Sequence, residues 1–261
     1  MELFDLTGKT VLITGGAGHL GKAMSEALAA FHANVFIASR NEEKCDRLAG
    51  DLNQKYGGLC RGVAVDISSE EDILLCVNRV IEAEGKIDVL VNNAAYSVAG
   101  YFEDLTEELW KRAIDGTVNS VFRMCSAVIP KMVQQGKGSI INIASMYGMV
   151  SPDPKIYRDN VRLSNPACYG AGKAAVLQLT RYLAGHYGQY GIRCNSISPG
   201  PFPSKMVQET DWFIDNLAEK TMLKRIGQPD DLAGALILLA SDASKYMTGA
   251  NICVDGGWTA W

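Results

Sequence analysis

The chain has no excess of positive charge: 25 Lys and Arg stand against 29 Asp and Glu, for a net charge of −4. That argues against a nucleic-acid partner, which calls for a basic face. It also lacks a long apolar run. The longest, Leu232 to Ala240, is too short to cross a bilayer. Met1-Glu2-Leu3-Phe4-Asp5 carries acids where a secretory leader has basic residues. Seven cysteines, at 45, 60, 76, 125, 168, 194 and 253, form no C-x-x-C pair and are odd in number. Reduced thiols in a cytoplasmic protein, most of them acting as small buried apolar groups, are the simplest reading. No Pro/Ser-rich linker, composition break or repeat divides the 261 residues. A single domain over 1–261 is expected, with 48% hydrophobic residues to build its core.

What is present begins with a glycine turn. Thr10-Val11-Leu12-Ile13-Thr14 is a short β-branched run, and Gly15-Gly16-Ala17-Gly18-His19-Leu20-Gly21 follows it directly. Leu20, Met24, Leu28 and Phe31 then recur at helical spacing. Strand, glycine turn and helix in that order are the context in which G-x-G-x-x-G, here Gly16, Gly18 and Gly21, points to a dinucleotide. The N–H groups opening the helix would meet the phosphates. A ligand-free βα turn is the competing explanation.

Apolar strands alternate with helical patterns along the whole chain. After 10–14, strands are expected at 35–38, 62–65, 87–91, 138–143, 192–197 and 250–254. Helices are expected at about 20–31, 42–56, 70–84, 106–135, 167–190, 204–219 and 229–240. Such alternation predicts an α/β doubly wound (Rossmann) fold: a seven-stranded parallel sheet with helices on both faces.

Tyr169 and Lys173 lie four apart in Tyr169-Gly170-Ala171-Gly172-Lys173. On a helix they share one face, about 5–6 Å apart at Cβ. An ammonium at that distance favours the ionised phenol and suits it to proton exchange with a carbonyl or alcohol. The same spacing also occurs on solvated helix faces.

With Asn92-Asn93-Ala94-Ala95 after the fourth strand, Asn142-Ile143-Ala144-Ser145 ending the fifth, and Pro199-Gly200 after the sixth, the chain resembles the short-chain dehydrogenase/reductase family over essentially its full length. Asp66 and the terminal Asp255-Gly256-Gly257 also match. The resemblance implies reversible interconversion of an alcohol and a carbonyl with NAD(P)(H). It implies Tyr169 as the acid/base, Lys173 as its modulator and ribose contact, and Ser145 as the donor to the substrate oxygen. Gly15, Gly16, Gly18, His19, Leu20, Asp66, Ile67, Asn93, Ala94, Pro199, Gly200 and Phe202 are the remaining implied cofactor contacts, and Asn92 a brace between strands. A homo-oligomer, tetramer or dimer, follows from the resemblance as well.

Three departures stand out. The glycine turn reads T-G-x-x-G-x-x-G, with His19 where members of this length carry glycine; that turn resembles the longer epimerase-type members. Thr117 takes the position of the family's catalytic asparagine, and Asn119, two residues on, is about 200° away around a helix. The second strand ends Ala38-Ser39-Arg40-Asn41, with no acid to bind a ribose 2′-hydroxyl and with a guanidinium shaped for phosphate. NADP(H) is therefore favoured over NAD(H), with Ser39 as a further contact.

Tyr96, Ser97, the stretch Met146 to Asn165 and the stretch Pro201 to Met222 are expected to face the substrate. Ser145 and Tyr169 lie 24 positions apart, leaving an insert at about 151–166 that contains Asp153, Lys155, Arg158, Asp159 and Arg162. Its mixed charge suits a small polar alcohol or carbonyl of sugar or sugar-acid type, with a flap at about 201–222 closing over it. The epimerase-like turn keeps open a sugar epimerase or dehydratase without net redox change. The missing asparagine keeps open a dinucleotide-binding redox sensor without turnover. No metal site is expected.

Overall fold

The structure, a computed structural model, describes residues 2–157 and 165–261. The first half runs β1 (Thr10–Thr14), α1 (His19–Ala30), β2 (Asn34–Ser39), α2 (Glu42–Tyr56), β3 (Arg61–Ala64), α3 (Glu70–Glu84) and β4 (Val89–Asn92). Then come α4 (Glu107–Ile114), a π turn (Asp115–Asn119), α5 (Ser120–Gln135) and β5 (Gly138–Ile143). The second half continues α6 (Ala167–Tyr187), β6 (Ile192–Pro199), α7 (Lys205–Gln208), α8 (Asp211–Lys220), α9 (Ala233–Ala240) and β7 (Asn251–Val254).

The described strands form one parallel sheet in the order β3-β2-β1-β4-β5-β6-β7. The chain winds outward from β1 in one direction and from β4 in the other. A crevice therefore opens between their C-terminal ends, where ligands bind in such sheets. Alternating side chains send Val11 and Ile13 of β1 to the face covered by α1, α2 and α9, and Leu12 to the face covered by α3, α5 and α6. Burial on both faces explains why these strands read as continuous apolar runs.

Helix boundaries follow local capping. Asn41 and Ser69 each accept the backbone N–H three residues ahead, and Gly57 and Gly85 end the same two helices in left-handed conformation. Two expected helices are broken. The pattern over 106–135 contains the π turn, because the Gly116 carbonyl is captured by Tyr96 N–H at 3.3 Å and by Ser120 Oγ at 3.0 Å. The pattern over 204–219 is split at Glu209 and Thr210 into α7 and α8.

Candidate active site

Ser145 leaves the end of β5 with its backbone extended, and its Oγ accepts the Tyr147 N–H at 3.1 Å. The turn Met146–Gly148 then packs directly on α6: a Cβ on Gly148 would stand 2.8 Å from the Lys173 carbonyl carbon. Only glycine permits that approach, and it brings Ser145 beside Tyr169, close enough for its hydroxyl to favour the ionised phenol. A polar chain ties β4 and β5 to the same helix. Asn92 Nδ2 donates to Asn142 Oδ1 (2.9 Å), and Asn142 Nδ2 donates to Thr180 Oγ1 (2.9 Å). Asn92 thus braces the strands.

Lys173 is buried, and its Nζ donates to the Ile143 carbonyl at 2.7 Å. Burial pulls its pKa down to about 8. The ammonium lies 5.8 Å from the centre of the Tyr169 ring. Burial raises the Tyr169 phenol, and the Ser145 hydroxyl offsets part of that rise. The expected lowering of the phenol by Lys173 is thus not the dominant effect; desolvation is.

Thr117 is buried, and its Oγ1 donates to the Ala113 carbonyl at 2.7 Å, closing one turn of its own helix. It packs against Gly172, where a Cβ would overlap its hydroxyl oxygen and lie 2.9 Å from its Cβ. Asn119 is exposed and donates to Asp115 Oδ1 at 3.1 Å, so it does not take the asparagine's place.

A cleft of about 630 Å³ opens at the C-terminal ends of β1 to β4. Ten of the residues implied as cofactor contacts line it: Gly15, Gly18, His19, Leu20, Ser39, Arg40, Asp66, Ile67, Asn93 and Ala94. Gly15 has φ +64, a conformation glycine adopts without strain. Asn93 Nδ2 holds the turn by donating to the carbonyls of Thr14 (3.0 Å) and Gly15 (3.1 Å). Gly16 instead faces inward, against Ile13, Ser25 and Ile37. The Asp66 carboxyl is held below its usual range, chiefly by the Ser68 hydroxyl and also by the Ser68 N–H. The Ser39 hydroxyl is engaged locally, donating to the Asn41 carbonyl at 3.2 Å.

Pro199 and Gly200 lie where β6 meets the terminal segment, Gly200 N–H donating to the Val254 carbonyl at 2.9 Å. The Phe202 ring packs on Gly227, while its carbonyl accepts from His19 Nε2 at 3.2 Å. The segment after Gly200 thus reaches the glycine turn.

Five lining residues were not among the implied cofactor contacts: Val65, Ser68, Ala95, Tyr96 and Arg112. Tyr96, expected to face the substrate, lines the dinucleotide cleft with its hydroxyl tied to Asp115. Arg112 lines it from α4, a position no local motif marks.

The wall beside Tyr169 is aromatic and apolar rather than charged. Met146, Tyr147, Ile156, Leu217 and Trp258 form a buried cluster, with Tyr157, Tyr169 and Phe213 packed on it. Of the insert's described charges, Asp153 pairs with Lys220 of α8 at 2.9 Å and Lys155 is exposed. Asn216 of α8 also donates to the Ile156 carbonyl at 2.8 Å. Arg158, Asp159 and Arg162 lie outside the described residues. Among the described residues no helix is long and apolar enough to cross a membrane, and no His/Cys/Asp/Glu cluster could hold a metal ion.

Residues 15–259 match the family described as Enoyl-(Acyl carrier protein) reductase. The sorbose reductase of Schizosaccharomyces pombe is 35% identical over 263 residues, covering 98% of each chain. The 7alpha-hydroxysteroid dehydrogenase of Clostridium sardiniense is 36% identical over 258 residues, covering 97% of this chain and 94% of its own. The crystal structure of a gluconate 5-dehydrogenase from Burkholderia cenocepacia, in complex with NADP and tartrate, superposes with a TM-score of 0.89 at 31% identity, covering 100% of this chain and 98% of that one. A parallel sheet with its crevice at the β1/β4 reversal, a serine–tyrosine–lysine cluster at that crevice, and these full-length likenesses place the chain in the short-chain dehydrogenase/reductase family of oxidoreductases.

Proposed function

We propose that the whole chain, 1–261, is one NADP(H)-dependent oxidoreductase unit that interconverts an alcohol and a carbonyl on a compact polyhydroxylated substrate of sugar or sugar-acid type. The observation that carries this is the meeting of Ser145, Tyr169 and Lys173 beside a cleft able to hold a dinucleotide. When bound, the nicotinamide donates or accepts the hydride. Gly15, Gly18, His19 and Leu20 would face its pyrophosphate, Arg40 the adenosine ribose, and Asp66 the adenine.

Ser145 Oγ accepts from Tyr147 N–H, which leaves its own proton to be shared between the Tyr169 oxygen and a substrate oxygen, where it stabilises developing negative charge. Tyr169, kept protonated by burial, delivers its proton to that oxygen during reduction. In the oxidative direction it takes the proton back. Lys173 spends one N–H on Ile143 and keeps its remaining donors for the ribose and the tyrosine side of the site. With a pKa of about 8 it is mostly charged at neutral pH, so it stabilises the phenolate in the step where Tyr169 is ionised. Thr117, bonded to its own helix, supports α6 through Gly172 instead of relaying a proton.

Support for the substrate class comes from the relatives' names, a sorbose reductase and gluconate 5-dehydrogenases, and from the wall. Tyr147 and Tyr157 both belong to this wall, and Asn165 Nδ2 donates to the Tyr157 hydroxyl at 3.3 Å. Such rings offer an apolar face and a polar tip together. The test is a screen with NADPH and NADP⁺ against ketoses, sugar acids, a hydroxysteroid and a simple ketone, following reduced-nicotinamide absorbance. Turnover is expected with the ketoses or sugar acids. Activity confined to the steroid would overturn the substrate class, and binding without any turnover would overturn the enzyme reading.

A further inference from the structure

The carboxylate of Asp115 gathers three donors: the Tyr96 hydroxyl, the Arg123 guanidinium and, at 3.1 Å, Asn119 Nδ2. Arg123 uses a second arm on the Ile67 carbonyl at 3.4 Å. One acid therefore joins three segments distant in sequence: the loop after β3, the loop after β4, and the π turn. Ile67 and Tyr96 line the dinucleotide cleft. The junction is close as well as polar. Tyr96 N–H donates to the Gly116 carbonyl at 3.3 Å, and a Cβ on Gly116 would overlap the Tyr96 carbonyl and ring. One residue further on, Thr117 rests on Gly172 beside Lys173.

We propose that Asp115 is a positioning residue for the cofactor: its carboxylate fixes Tyr96 and Ile67 as the rim of the dinucleotide cleft and locks that rim to the π turn. The inference rests on the dinucleotide-binding reading above. Two chemical features make the acid suitable. It is only partly exposed, so its bonds are poorly replaced by water. Its donors include a guanidinium, which gives a charge-assisted bond of fixed direction. A π turn supplies the geometry, because it interrupts the helical register at the place where Asp115 must turn toward Tyr96.

Tyr96→Phe, Asp115→Asn and their double variant would be compared with the parent protein by direct titration with NADPH, followed by nicotinamide fluorescence, and by steady-state kinetics. Asp115→Asn is expected to weaken NADPH binding about tenfold and Tyr96→Phe several-fold, as for loss of a partly buried charge-assisted bond. The double variant should be no weaker than Asp115→Asn, because the phenol acts through the carboxylate. The cofactor KM should rise in parallel, with kcat within about twofold, since Ser145, Tyr169 and Lys173 keep their positions. A general loss of stability would lower the melting point without this split between KM and kcat. Binding by both single variants within about twofold of the parent would overturn the proposal, as would losses that simply multiply in the double variant. Should Asp115→Asn fail to fold, Tyr96→Phe alone decides. If the parent protein itself binds no dinucleotide, the functional reading fails first and independently.

Discussion

Gly172→Ala sets two physical effects of opposite sign against each other inside the active site. Gly172 is an interior position of α6, where replacing glycine by alanine ordinarily stabilises a helix by about 1 kcal/mol. Here the added methyl would overlap the Thr117 hydroxyl oxygen and stand 2.9 Å from its Cβ. The threonine cannot simply swing away, because it is buried and its Oγ1 is bonded to the Ala113 carbonyl at 2.7 Å. Overpacking costs about 1–3 kcal/mol, and breaking the threonine's hydrogen bond adds about 1 kcal/mol. The clash should win, leaving Gly172→Ala less stable by about 1–3 kcal/mol once the helix gain is subtracted. Relief by separation of α6 from the π turn would displace the adjacent Lys173 and lower kcat by about tenfold or more. Thr117→Ala removes the overlapping hydroxyl and leaves only the Cβ contact at 2.9 Å, so the double variant should recover most of the lost stability, with a coupling of about 2 kcal/mol in a double-mutant cycle. Urea denaturation of the four proteins, together with kcat, measures this. A Gly172→Ala protein about 1 kcal/mol more stable than the parent, with unchanged kcat, would refute the packing argument.

Tyr169→Phe should lower turnover about 10²–10⁴-fold, the range of a general acid, with NADPH affinity within about twofold by fluorescence titration; retained turnover would remove Tyr169 from the acid/base role. Lys173 is buried with a pKa lowered from 10.5 to about 8, so below pH 8 both folded and unfolded states carry its proton and the burial penalty is felt in full. That penalty is relieved as pH rises from about 8 toward 10.5, and the stability of the parent relative to Lys173→Met should climb across that window by up to ~3 kcal/mol; parallel pH curves would contradict it. Arg40→Asp should shift the ratio of kcat/KM for NADP(H) over NAD(H) by about tenfold or more toward NAD(H), through loss of a phosphate-shaped cation; an unchanged ratio would place the guanidinium outside the ribose site.

Features legible in the sequence were those whose geometry is set by short stretches of chain. Tyr169 and Lys173 meet because four residues on a helix bring side chains together. The glycine turn was visible because Thr10–Thr14 and the helix after it flank it. Alternating apolar runs carried the seven parallel strands, since parallel sheets are buried on both faces. The π turn was not legible. It depends on Tyr96 N–H capturing the Gly116 carbonyl across twenty residues of chain, and helical periodicity over 106–135 carries no record of that capture. Tyr96 was placed with the substrate for the same reason: its orientation is decided by Asp115, a partner remote in sequence.

The insert shows how charge in a loop can mislead about the chemistry of a site. Asp153 and Lys155 suggested a polar lining, yet Asp153 spends its charge on Lys220, and the insert delivers Ile156 and Tyr157 to the cluster around Tyr147 and Trp258. An ion pair on the rim and aromatic rings within are complementary. The pair and the Asn216–Ile156 bond hold α8 to the insert, and the rings exclude water from the neighbourhood of Tyr169. Exclusion of water is also what pulls Lys173 down to about 8 and pushes the Tyr169 phenol up. The apolar wall and the tuned proton-transfer pair are therefore one physical arrangement. Opening the wall with Tyr157→Ala should move Lys173 back toward its ordinary range, which the window of pH-dependent stability relative to Lys173→Met would reveal by shifting upward. A window unmoved by that substitution would show that desolvation of Lys173 is set by β5 and α6 alone.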